Sequence, residues 1–151
     1  MLTAEQTKTT IDHPTFTITF KRKLAATPDV VFDAWTKPDE ISQWWDPDGA
    51  PLRECAIDLR VGGEFKLVNN GHSPPFAGVY RVLERPSLIV FDAMGAVGTV
   101  RLDGDQRGTQ MTVTIRCANA EHLEHFVKLG VADGTERTLN NLVARIAAKT
   151  A

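Results

Sequence analysis

From Thr15 the chain alternates strictly, with Phe16, Ile18 and Phe20 on one side and Thr15, Thr17, Thr19 and Lys21 on the other. A period of two marks a strand with one buried face. Residues 1–14 are polar, Thr-rich and aperiodic, and read as a loose, flexible tail ahead of one domain spanning 15–151. Thr27 and Pro28 then open a helix, with Asp29 in its first turn complementing the helix dipole. Val30, Val31, Ala34 and Trp35 share one face of it. Pro38 interrupts and restarts the helix, and Ile41, Trp44 and Trp45 at i, i+3 and i+4 predict a second short helix with an apolar face.

Beyond the turn 46–51 the period returns to two, punctuated by turn chemistry. The pattern predicts strands over 52–59, 64–68, 76–83, 87–92, 97–103 and 110–116, with Gly62-Gly63 and Asn69-Asn70-Gly71 as reversals between them. The last of these is the cleanest, with Met111, Val113 and Ile115 inward and Gln110, Thr112, Thr114 and Arg116 outward. Short links throughout mean an antiparallel meander rather than βαβ units. Asn119 then caps a helix, and an apolar stripe runs through Leu123, Phe126, Val127, Val131, Leu139, Leu142, Val143 and Ile146. A single helix of that length, about 40 Å at 1.5 Å per residue, has to lie across the sheet. The expectation is an α+β domain of the helix-grip kind: one strand, two short helices, six more strands, and a long C-terminal helix held by a curved seven-stranded antiparallel sheet.

Composition changes this picture little. Apolar residues make up 42% and charged residues 24%, as in ordinary globular proteins, and 17 basic against 19 acidic side chains leave a net charge of −2. With no basic excess to neutralise phosphates, a nucleic-acid partner is not expected. No apolar run reaches the roughly 18–20 residues that span a bilayer, and the N-terminus lacks the apolar core of a signal peptide. A cytoplasmic protein without membrane insertion is therefore expected. Cys55 and Cys117 match no metal or redox spacing, and read as small hydrophobes.

The candidate chemistry is mostly aromatic. Trp44, Trp45, Phe65, Phe76, Tyr80, Phe91 and Phe126 either fill the core or line a cavity of a few hundred Å³ between sheet and helix. Gly130 and Gly134 interrupt the helical stripe, so they either permit close backbone approach or leave space for a ligand. His122 and His125, one turn apart beside Glu121 and Glu124, need a third ligand to hold a metal and otherwise form a solvated face. Asp58 and Arg60 share a face and suit a structural pair beside Gly62-Gly63. No nucleophile elbow, paired Cys–His motif or phosphate-binding glycine loop is present, and no cofactor is implied.

Several strings carry a resemblance. Arg22 to Pro28, followed by residues 30–49, resembles the opening of START-like, polyketide-cyclase-like (SRPBCC) proteins. More narrowly it is similar to the branch named after the C-terminal domain of the activator of the heat-shock-protein-90 ATPase. Trp44, Trp45, Pro47 and Gly49 match that branch's Trp-Trp-x-Pro-x-Gly string, and Asp58, Arg60, Gly62, Gly63 and Phe65 match its Asp-x-Arg-x-Gly-Gly-x-Phe string. Gly78, Pro86 and Thr109 match single positions further on, so the resemblance covers about residues 15–149. Two positions depart from the branch: Phe91-Asp92 stands where Thr-Trp is usual, and Thr135 follows Gly134 where an aromatic is usual.

The resemblance implies the helix-grip fold and a small apolar or amphipathic ligand, with the seven aromatics, Gly130, Gly134 and Asp92 as the candidate site. Asp92 enters because it replaces a pocket aromatic. The same superfamily also implies two alternatives: an interaction module that stimulates a chaperone ATPase, and a cyclase- or hydrolase-type enzyme using Asp92 or His72. A homodimer is compatible with such a sheet, although no residue pattern demands one.

Overall fold

A computed structural model describes residues 6–71 and 74–150. It contains eight strands and four helices: β1 (Lys8–Asp12), β2 (Thr17–Leu24), α1 (Pro28–Thr36), α2 (Pro38–Ile41), β3 (Glu54–Ile57), β4 (Glu64–Val68), β5 (Phe76–Glu84), β6 (Leu88–Ala93), β7 (Ala96–Asp105), β8 (Gly108–Arg116), α3 (Ala120–Lys128) and α4 (Val131–Thr150). The strands form one antiparallel sheet in the order β1-β2-β8-β7-β6-β5-β4-β3. The first long strand therefore closes on the last one, and the other five follow as the expected meander.

The sheet has eight strands rather than seven. The additional one, β1, lies within the segment that reads as a loose tail. It pairs in register with β2, from Lys8 opposite Lys21 to Asp12 opposite Thr17. None of its residues is buried, so no hydrophobic alternation announces it. Edge pairing through the backbone holds it, together with a hydrogen bond donated by Thr9 to Glu136 on α4. Residues 1–5 of the same expected tail lie outside the described residues.

The C-terminal helix is two helices. Leu129 ends α3, and Gly130 at φ +77° turns the chain before α4 begins. That left-handed conformation suits glycine, which carries no Cβ to clash with the following carbonyl. Asn119 caps α3 as expected, its side chain accepting the His122 backbone N–H at 2.8 Å. The α4 helix buries Leu139, Leu142 and Ile146 at i, i+3 and i+7, packed with Ile18 and Phe20 of β2 and Met111 and Val113 of β8 in one core. This is the helix-grip arrangement.

At the other end, α2 is only four residues long, so Trp44 and Trp45 stand in the turn after it and not on a helix. Two side chains of α4 bind this turn. Thr138 donates to the Trp45 carbonyl at 3.1 Å, and Asn141 donates to that of Asp46 at 2.8 Å. Glu40 adds ion pairs to Arg145 at 3.1 Å and Lys149 at 2.9 Å. These bonds fix the two tryptophans against the first half of α4.

Candidate functional site

The second half of α4 packs solidly, whereas its first turns do not. Gly134 and Thr135 stand there, and a Cβ added at Gly134 would meet nothing within 4 Å. Beneath them a cavity of about 280 Å³ lies between α4, α3, the tryptophan turn and the middle of the sheet. Its walls include Trp35 and Trp45, Phe76 of β5, Phe91 and Ala93 of β6, Ala96 and Gly98 of β7, Val113 and Ile115 of β8, and Phe126, Val131 and Leu139 of the helices, with Asn69, Thr114, Thr135 and Thr138 as the polar residues among them. Met94, 58% exposed on the turn between β6 and β7, stands at its rim. No ionisable side chain is among the described residues that line it.

Close-packed cores hold few voids larger than a water molecule. This void is nearly twice the roughly 150 Å³ of an apolar cavity that accepts benzene.

Of the candidates from sequence, Trp45, Phe76, Phe91, Phe126 and Gly134 line this cavity. Phe65 and Tyr80 do not. They stand behind Phe76 and Phe91, around a crevice of only about 20 Å³. Phe65 meets Phe91 edge-on at 5.4 Å and Tyr80 at 5.1 Å, so this outer row is solid aromatic packing. Trp44 is fully buried, and its indole N–H donates to the Ala34 carbonyl at 3.0 Å, a structural anchor for α1. Gly130 makes the helix break and does not line the cavity.

Asp92 lies outside altogether. Adjacent strand residues face opposite sides of a sheet, so with Phe91 inward Asp92 points outward. There it is exposed and receives Arg81 at 3.3 Å. His72 lies outside the described residues. His122 accepts the Ala118 N–H at its Nδ1 and packs edge-on against Phe126 at 4.5 Å, so its ring closes the start of α3. Asp58 and Arg60 pair at 2.8 Å, exposed beside Gly62 and Gly63. Burial pushes both thiols, Cys55 and Cys117, above the usual range, with Asp39 adding to the effect at Cys55, which lowers their thiolate fraction.

Two cavity features escape the sequence. Glycines seat the aromatic wall: a Cβ at Gly98 would stand 2.4 Å from the Phe91 ring, and one at Gly78 would stand 2.6 Å from the Phe65 ring. The other feature is Trp35. Its ring lies edge-on to Trp44 at 4.9 Å and to Trp45 at 6.4 Å, and it lines both cavity and crevice. It is 7% exposed, and its indole N–H is buried with no hydrogen-bond partner. An unmade bond of this kind costs about 1–3 kcal/mol. The apolar face of α1 already includes Trp35, but periodicity says nothing about whether its N–H is paired.

A helix-grip domain enclosing an apolar cavity defines a class of protein before any comparison is made. The family model described as activator of Hsp90 ATPase homolog 1-like protein matches residues 25–147, and the chain belongs to that family. Solved structures agree on the fold. A protein from Rhodobacter sphaeroides superposes with a TM-score of 0.84 at 22% identity, covering 95% of this chain and 99% of that one. A protein from Nitrosomonas europaea gives 0.80 at 19% identity, covering 89% and 96%. An AHSA1-like protein from Aeromonas hydrophila gives 0.74 at 22% identity, covering 89% and 94%. No curated protein matches the chain. Among the described residues, no helix is long and apolar enough to cross a membrane.

The family's shared strings prove largely structural in this chain. Gly49 and Gly62 adopt φ of +84° and +83°, a Cβ at Gly63 would stand 2.1 Å from the Asp58 carbonyl oxygen, and Thr109 donates to the Ala26 carbonyl at 2.7 Å. Of the residues in those strings, Trp35, Trp45 and Pro47 touch the cavity.

Proposed function

We propose that this protein binds a small, uncharged, apolar or weakly amphipathic molecule in the cavity beneath the first turns of α4. The observation that carries this reading is the cavity itself: about 280 Å³ bounded mostly by aromatic and aliphatic side chains from helices and sheet, with Asn69 and three threonines as the uncharged polar exceptions. Water gains little in such a space, whereas an apolar ligand buries surface at about 25 cal/mol per Å². A charged ligand is disfavoured because no described lining residue offers it a counter-charge.

The same lining argues against acid–base catalysis, which needs a titratable group inside the pocket. Asp92, the carboxylate nominated for that role, is paired with Arg81 on the far side of the sheet. A chaperone partner would instead meet the outside of the domain, which the cavity does not address.

Native mass spectrometry of protein purified without denaturant tests the proposal, the expected result being a co-purifying small molecule. Ethylnaphthalene serves as a surrogate, and Thr135→Phe, which places a ring in the void, should weaken its binding at least about tenfold while leaving the fold intact. Equal binding by both forms would place the surrogate elsewhere and overturn the reading.

A further inference from the structure

We propose that β1 is a dimerisation edge: two copies of this chain pair antiparallel through it, centred on Thr10, and so join two eight-stranded sheets into one. The inference is independent of the binding proposal above. The sheet ends at β1, which pairs with β2 on one side and, among the described residues, with no strand on the other. An edge of this kind carries a row of unpaired backbone N–H and C=O groups. The usual devices that blunt such an edge are absent from β1. It holds no proline, its partners on β2 run without a bulge, and its two charged residues are exposed rather than turned inward. The opposite edge differs, because α2 packs against β3 there.

The residues of β1 say what the edge fits. The strand reads Lys-Thr-Thr-Ile-Asp, with opposite charges at its two ends. A twofold axis at Thr10, perpendicular to the sheet, sets Lys8 opposite Asp12 of the second copy and Thr9 opposite its Ile11. Opposed side chains lie about 4.5–5.5 Å apart at Cβ, within reach of an ion pair. An axis at Thr9 or Ile11 would face a charge with Thr10 instead, so the register at Thr10 is the one that matches every position.

Lys8 also lacks an anion of its own. It stands directly opposite Lys21 on β2, a like-charge pairing that costs stability. Asp12 accepts from Thr15 through one carboxylate oxygen, which leaves the other for Lys8 of the second copy. A purely acidic or purely basic peptide would match one end of β1 and oppose the other, whereas a second copy matches both. So short a strand makes a small contact, and the dimer belongs to the weak, concentration-dependent class, dissociating between about 10 μM and about 1 mM.

Sedimentation equilibrium of the full chain tests this. The wild type should dimerise in that range, and less so as salt rises. Lys8→Asp and Asp12→Lys each set like charges opposite one another at two symmetric places, so each alone should weaken self-association at least about tenfold. Mixed in equal amounts, the two variants are complementary again and should associate about as tightly as the wild type. The double variant carrying both substitutions should dimerise likewise, which shows that neither change unfolds β1. A wild type that stays monomeric up to about 1 mM overturns the proposal. So does a dimer that survives undiminished in both single variants, or a mixture of the two that stays monomeric where the wild type dimerises.

Discussion

The far edge of the Phe91 ring rests on Gly98 of the neighbouring strand, its register partner, where a Cβ would stand 2.4 Å from the ring. The glycine thus sets how far Phe91 lies back from the cavity. Gly98→Ala pushes the ring toward the cavity, because Phe65 stands on the other side at 5.4 Å. The expected cost is about 1–3 kcal/mol from overpacking, read as a lower Tm, together with weaker binding of ethylnaphthalene.

Gly130 and Gly134, four residues apart, should respond in opposite directions. A Cβ at Gly134 meets open space on a helix, so Gly134→Ala should raise stability by about 0.5–1 kcal/mol. Gly130 sits at φ +77°, where alanine is strained, so Gly130→Ala should lower it by about 1–2 kcal/mol. Urea denaturation of the two variants checks both signs.

Burial by itself would raise the Glu40 carboxyl, but the hydrogen bonds from Lys149 and Arg145 outweigh it and hold the group below the ordinary glutamate range. A carboxyl depressed in the folded state contributes stability that is complete above its unfolded value, near 4.5, and is lost as pH falls through the lower folded value. Thermal denaturation between neutral and acid pH should therefore fall less steeply in Glu40→Gln than in the wild type.

Tyr80 is the one tyrosine in the chain, which makes its titration directly visible. Burial first, and nearby Cys55 second, push its phenol from 10 up to about 12. The folded state thus favours the neutral phenol. The stability linked to it is intact below pH 10 and lost as pH rises toward about 12. Phenolate absorbance should appear near pH 12 in the folded protein and near pH 10 in urea.

Much of the site's direction was legible in the sequence. The alternation of β8 already turned Val113 and Ile115 inward, and the same parity in β6 made Phe91 and Asp92 incompatible on one face. Asp92 was therefore a candidate by resemblance against its own strand pattern, and the pattern prevailed. Trp35 was on the apolar face of α1 from the start. The strand β1 was not legible, since its hydrogen bonds come from an edge and none of its side chains is buried. The helix break was only half legible: Gly130 and Gly134 looked alike, and only the backbone angle separates the turn from the gap.

The chain's periodicity by itself determined the kinds of element, their order and the inward face of each, because side-chain direction follows from local geometry at 2.0 or 3.6 residues per turn. Which inward residues border empty space was decided by the tertiary structure alone. Phe65 and Phe91 carry the same ring and the same inward parity, yet one is packed behind the other. A void is the difference between the room that distant elements enclose and the side-chain volume they put into it. That sum exists only once α4 has settled on the sheet with Gly134 and Thr135 over its middle.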